Sequence, residues 1–245
     1  MKSSTLASWA LVALVTCCCF AGSASAALVE TGDTASLADL IDNDGVYVVG
    51  DKQFSNFNYG NAQVTPDDMP SASGISVIGL VDDDGNYGIR FRGYFSDSAF
   101  SQGGSDAAIE FDVDVLDEDY EISGVMLAGN PNVLGDAGAI NVTEDFLPLG
   151  ANGEYTLSIY DDRQGAGLQF SQLMDSVYFN EPEPITSLHV YKDIGALAYT
   201  GYPSVTLSRI DQVFYQEPIR VPEPAGYALL SLMGAVVVGL RYRLG

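Results

Sequence analysis

Ile109-Glu110-Phe111-Asp112-Val113-Asp114-Val115 alternates apolar and acidic residues without a break. Successive side chains of a strand point to opposite faces. This stretch therefore reads as a half-buried strand, apolar on one side and acidic on the other. Similar short runs, rich in β-branched and aromatic residues, lie before it at 46–49, 53–59, 75–81 and 87–94. Others follow at 121–127, 139–146, 155–160, 168–170, 176–179, 188–191 and 204–215. Asp84-Gly85, between 78–81 and 87–91, is a hairpin signal. Many short strands joined by Gly, Asp and Asn turns predict an all-β domain, a single β-sandwich or jelly roll. A propeller or β-helix would need a regular internal repeat, and none is visible. One short helix is expected at 33–41. Leu37, Leu40 and Ile41 share a face there, Asp33 or Thr34 is available as N-cap, and Asn43-Asp44-Gly45 ends it.

The chain has 245 residues, 33 acidic and 10 basic, with a net charge of −23. Between 27 and 220 the imbalance is steeper, 32 acidic residues against 7 basic. Such a surface repels nucleic acid and anionic lipid headgroups and favours hydration and cation binding. The same segment contains no Cys and no Trp, and its one histidine is His189. No disulfide or thiol nucleophile is available to it. A Ser-His-Asp triad would have to be built on His189, and zinc would find one imidazole among carboxylates.

The N-terminal end reads as a secretory signal peptide, residues 1–26. Lys2 supplies the charged start, 6–20 is largely apolar, and Ala24-Ser25-Ala26 is a small-x-small cleavage site. Cys17, Cys18 and Cys19 all lie inside it. A lipoprotein reading would acylate Cys17 after Leu14-Val15-Thr16, but threonine beside the cysteine fits poorly.

At the other end, 221–245, four elements follow in order: Val221-Pro222-Glu223-Pro224, the uncharged run 225–240, the basic residues Arg241 and Arg243, and the last residues. The prolines hold the tripeptide extended. The apolar run of 16 residues, as a helix rising about 1.5 Å per residue, spans roughly 24 Å, slightly short of the ~30 Å hydrocarbon core. Tyr227 and Tyr242 can sit at the two interfaces, and the arginines hold the end in the cytoplasm. This tail resembles the PEP-CTERM sorting signal of Gram-negative bacteria. The resemblance implies an exported protein recognised by an exosortase, cut near the Pro-Glu-Pro, and found beside exopolysaccharide export genes. It covers about a tenth of the chain. More loosely, 27–220 resembles extracellular regions that carry the same tail. The matching residues are Ser36-Leu37-Ala38-Asp39-Leu40-Ile41, Gly50-Asp51-Lys52-x-Phe54-Ser55-x-Phe57, Tyr191-Lys192-Asp193-Ile194 and Gln212-x-Phe214. That likeness implies one β domain and no activity.

Asp42-Asn43-Asp44-Gly45 and Asp82-Asp83-Asp84-Gly85 have the oxygen density calcium takes, with Asp42, Asp44, Asp82 and Asp84 as candidate ligands. Neither completes a twelve-residue loop, and turn chemistry explains both without metal. Asp114, Asp117, Glu118 and Asp119 form a further acidic cluster at a strand end. His189 falls in a strand, where a lone histidine is usually structural. Glycoside hydrolysis needs only two carboxylates, but the sequence selects no pair. Asn141-Val142-Thr143 is a glycosylation pattern that is common by chance. Tyrosines such as Tyr87, Tyr94, Tyr199, Tyr202 and Tyr215 could stack on sugars, though β propensity alone accounts for them.

The expectation is a non-enzymatic surface or matrix protein, exported through signal peptidase and held briefly in the inner membrane. An exosortase would then process it for a structural or adhesive role with exopolysaccharide. No nucleic-acid partner and no obligate cofactor are expected. A carbohydrate- or calcium-binding module is the alternative, and a glycoside hydrolase or lyase ranks below it.

Overall fold

A computed structural model describes residues 28–62, 68–98, 104–135, 137–147, 155–165, 167–199 and 204–219. The cleavage residues Ala24 and Ala26 lie outside the described residues. So does the tail with Val221, Pro222, Glu223, Pro224, Arg241 and Arg243. Among the described residues no helix is long and apolar enough to cross a membrane.

Alternation writes most of the domain. In β6 (Gly104–Val115), Ile109, Phe111 and Val113 are fully buried while Glu110, Asp112 and Asp114 line the other face. The chain runs through β1 (Val29–Ser36), α1 (Leu37–Asp42), β2 (Tyr47–Val49), β3 (Lys52–Ala62), β4 (Ser76–Val81) and β5 (Tyr87–Ser98) before reaching it. After it come β7 (Tyr120–Gly129), β8 (Asn132–Leu134), β9 (Ala137–Leu147), β10 (Leu157–Gln164), β11 (Gln169–Gln172), β12 (Met174–Tyr178), β13 (Ser187–Ala198) and β14 (Ser204–Pro218).

These strands form two antiparallel sheets. The first has the order β1-β4-β5-β14-β7-β12, with β8 also beside β14. The second has the order β11-β10-β9-β13-β6-β3-β2. The sheets stack as a sandwich, and from β5 onward the chain crosses repeatedly between them. Their inner faces share one core. Phe54 and Phe111 of the second sheet, 6.1 Å apart between ring centroids, meet Phe214 at 5.8 Å and Phe91 at 5.7 Å, respectively, of the first. Each such ring, fully buried, contributes about 1.5–3 kcal/mol, and each tilted pair about 0.5–1.5 kcal/mol more.

The helix expected at 33–41 is shorter and later, Leu37–Asp42. Residues 29–36 are instead the edge strand β1, paired antiparallel with β4. Gly32 has φ +95°, outside any right-handed helix. Neither Asp33 nor Thr34 caps α1; Ser36 holds the N-cap position without a side-chain bond, and the Leu37 N–H donates to the Ile75 carbonyl at 2.9 Å. The hairpin at Asp84-Gly85 forms, with a five-residue connection between β4 and β5 in which Gly85 takes φ +83°.

Candidate functional site

The outer face of the second sheet gathers much of the acid. Asp106, Glu110, Asp112 and Asp114 of β6 stand beside His189, Tyr191 and Asp193 of β13, with Asn141, Thr143 and Asp145 of β9 beyond. His189 lies opposite Asp112, its Nδ1 2.6 Å from Asp112 Oδ1 and its Nε2 3.8 Å from Glu110 Oε2. Both ring nitrogens thus face carboxylates. The pKa of Asp193 is raised, first by burial, then by the charge and hydrogen bond of Asp106, then by Asp145. Asp106 and Asp193 lie on neighbouring strands of this face, two residues out of direct register. Asn141 and Thr143 are mid-strand in β9.

Two of the turn carboxylates, Asp82 and Asp117, bond backbone N–H groups. Asp82 is buried; its Oδ1 accepts the N–H groups of Asp84 at 3.0 Å and Asn86 at 2.8 Å, and its Oδ2 accepts Asn86 Nδ2 at 2.9 Å. Asp42 ends α1, and Asp44 follows it at φ +46°. Asp117 Oδ1 accepts the Asp119 N–H at 3.1 Å in the turn after β6. Among the described residues no three acidic or histidine side chains converge as metal ligands.

A buried polar cluster went unread in the sequence. Lys192, Glu144 and Gln212 are all fully buried between the sheets. Lys192 and Glu144 are directly opposed on β13 and β9, while Gln212 comes from β14 of the other sheet. Lys192 Nζ donates to both Glu144 Oε2 and Gln212 Oε1, and lies 5.8 Å from the centre of the Phe111 ring. Glu144 Oε1 and Gln212 Nε2 have no hydrogen-bond partner among the described residues. Burial pushes Glu144 up to about 6 against the pull of the Lys192 ammonium, with Asp145 adding to the rise. The Gln212 amide also favours the carboxylate electrostatically, without an aligned bond from Nε2. Burial likewise lowers the pKa of Lys192, against the raising influence of Glu144. A second buried lysine, Lys52, bonds both oxygens of Asp51 at 2.8 and 2.7 Å and Gln216 Oε1 at 2.7 Å. The signal was available: period two puts Lys192 in line with Val190 and Ile194, and Glu144 with Val142 and Phe146.

Arg90, Arg92 and Arg209 cluster on β5 and β14 of the first sheet. Arg90 grips Asp211 in a fork, Nε to Oδ1 at 2.5 Å and Nη2 to Oδ2 at 2.9 Å, and reaches Glu30 on the edge strand at 2.5 Å. Arg92 also bonds Glu30, and Arg209 lies 3.3 Å from Asp211. Arg163 is 3.6 Å from Asp161. Every lysine and arginine among the described residues is thus beside a carboxylate, so the unpaired surface charge there is negative.

Two features stand apart. Tyr178 and Tyr215 stack at 5.0 Å with their planes 14° apart, and Tyr178 is 67% exposed. They flank Gly124 on β12 and β14. A Cβ on Gly124 would lie 3.1 Å from the Tyr178 ring and 2.5 Å from the Val177 carbonyl oxygen. Tyr94 and Tyr199 are exposed elsewhere, Tyr87 is half-buried, and Tyr202 is outside the described residues. Nearby, a cleft of about 350 Å³ is lined by Glu121, Glu217 and the loop before β13. That loop contains Glu181-Pro182-Glu183-Pro184, an exposed second copy of the tripeptide found at 222–224.

Compared with known proteins, the chain matches no family model and no curated sequence.

Proposed function

We propose that this chain is an exported surface or matrix protein of the PEP-CTERM type, sorted by an exosortase and serving a structural or adhesive role with exopolysaccharide. The observation that carries the reading is the order of elements at 221–243: rigid Pro-Glu-Pro, uncharged run, basic residues. The architecture is compatible with it. Strands β5-β14-β7-β12 and β6-β13-β9-β10 follow the strand order of a jelly roll, extended at its edges by β1, β4, β3, β2 and β11. Such sandwiches serve as capsid and lectin domains, among other uses, so the fold supports a binding or scaffold role without naming one. The paired-off cations leave an acidic, strongly hydrated exterior suited to a polymer matrix.

Replacing Pro222-Glu223-Pro224 by alanines, in a tagged chain expressed in the native host, tests the sorting step. Export and membrane insertion should persist, and an uncut form should accumulate in the inner membrane. The same replacement at Pro182-Glu183-Pro184 should leave processing unchanged, because that copy is followed by β13 rather than by an uncharged run. Wild type and 222–224 variant of one size and location would leave a permanent anchor as the better account.

The stacked Tyr178–Tyr215 pair favours a second reading, a carbohydrate-binding module, since an exposed aromatic face can hold a sugar ring. Binding of the host's polysaccharide lost on Tyr178→Ala would support it.

A further inference from the structure

We propose that Lys192 and Gln212 become joined by an intramolecular amide bond, formed by the folded chain itself with Glu144 relaying the proton. The three groups have the relation such a reaction needs. Lys192 Nζ contacts the Gln212 carboxamide through Oε1 and Glu144 through Oε2. All three are fully buried, with the Phe111 ring beside the amine. Water is excluded, so the amide cannot be hydrolysed in competition. Holding amine and amide in fixed contact replaces a bimolecular encounter with an intramolecular one.

The environment also sets the protonation states. Burial disfavours both ions of a Lys–Glu pair. Transfer of one proton from Lys192 to Glu144 gives a neutral amine and a neutral carboxyl. The neutral amine is the nucleophile. Its lone pair attacks Gln212 Cδ, and the Nζ–Cδ bond forms. Glu144 delivers its proton to Nε2 and accepts one from Nζ. The Cδ–Nε2 bond breaks, and ammonia leaves. The balance closes with one amide gained, one ammonia released and Glu144 regenerated; no oxidant or energy source is required. The two atoms lacking a hydrogen bond, Glu144 Oε1 and Gln212 Nε2, are the carboxyl oxygen and the leaving nitrogen of this scheme.

Two alternatives are disfavoured by the same geometry. Condensation of Lys192 with Glu144 would consume the acid and leave no third group in the cluster to move the proton. Lys52 and Gln216 repeat the lysine–glutamine contact, and burial lowers the Lys52 pKa too, but Asp51 takes its ammonium with both oxygens and is itself partly exposed, so no buried acid stands there to relay the proton. The Lys192–Gln212 bond would link β13 of one sheet to β14 of the other, in a segment that has no cysteine for a disulfide.

The test is mass spectrometry of the full-length chain, exported and folded, with folding checked by a cooperative melt. The intact mass should be lower by one ammonia than the sequence of the same processed form. Trypsin should fail to cut after Lys192. Peptides 164–209 and 210–220 should emerge as one species, lighter than their sum by one ammonia. Lys192→Met should restore the full mass, and Glu144→Gln, which keeps shape but removes the acid, should leave most of the chain unlinked. A folded wild type whose Lys192 is cut normally would overturn the proposal. A Lys192–Glu144 species lighter by one water would overturn the assignment to Gln212. A fully linked Glu144→Gln variant would overturn the relay.

Discussion

Glu144 and Lys192 face each other across β9 and β13, so changing one alone strands the other. Removing one partner of a buried pair costs about 3–5 kcal/mol, whereas replacing both by apolar residues is often near neutral. In a chain not yet linked through Lys192, Glu144→Leu should therefore destabilise the domain by that amount, and adding Lys192→Met should recover most of that loss; urea titration of the two variants, both unlinked without Glu144, measures the recovery. Asp193 offers a cleaner pH test. Its folded pKa is raised, chiefly by burial and Asp106, so the folded chain holds the proton more tightly than the unfolded one. That stabilisation is full below the unfolded value and is lost as pH rises through the folded one. Asp193→Asn should thus raise the melting temperature at about pH 7 and change it little below the ordinary Asp range of about 3.9. Asp193 is largely exposed, so solvent screens the effect to about 0.2–1 kcal/mol, on the order of 1–4 °C at most in a domain of this size. An equal shift at both pH values would mean that the carboxylate's charge is not the cause.

Strand β14 is the element on which the most depends, lying between β5 and β7, supplying Ile210 and Phe214 to the hydrophobic core and burying Gln212 beside them. Its closeness to β5 rests on Gly88: a Cβ there would fall 1.9 Å from the Gln212 carbonyl oxygen. Gly88→Ala should cost about 3 kcal/mol, at the high end for overpacking, and the β5–β14 amides should lose hydrogen-exchange protection before those of the second sheet. Elements such as β6 and β9 were legible because their inner positions, Glu144 of β9 apart, are largely apolar and their outer positions polar. Strand β1 was not, because Glu30-Thr31-Gly32-Asp33-Thr34 alternates nothing; it is an edge strand held by pairing to β4 and by the Glu30–Arg90 bond. Asp82, which the sequence offered both as turn residue and as calcium ligand, closes its turn locally, being a short carboxylate two residues before a backbone N–H. The Lys192 cluster was missed because a lysine inside a strand ordinarily signals the wet face, and only its partner from a distant strand makes burial tolerable.

Across the whole molecule the surface carries uncompensated negative charge, and its self-repulsion should yield to ionic strength. Matched millimolar calcium and magnesium should raise the melting temperature by the same small amount, because Asp82 already spends its oxygens within its own turn. A calcium shift well beyond magnesium would instead follow RT ln(1 + [L]/Kd) for a specific site.

Because β14 is the final described strand, any pull exerted from beyond residue 219 enters the domain along it. The strand spans Ser204–Pro218 and is antiparallel to both neighbours. A tug on its far end loads those two hydrogen-bonded ladders in shear, so many bonds resist together rather than opening one at a time. A domain tethered at that end would meet mechanical drag through its most heavily paired strand, and its less paired edges would bear little of the force.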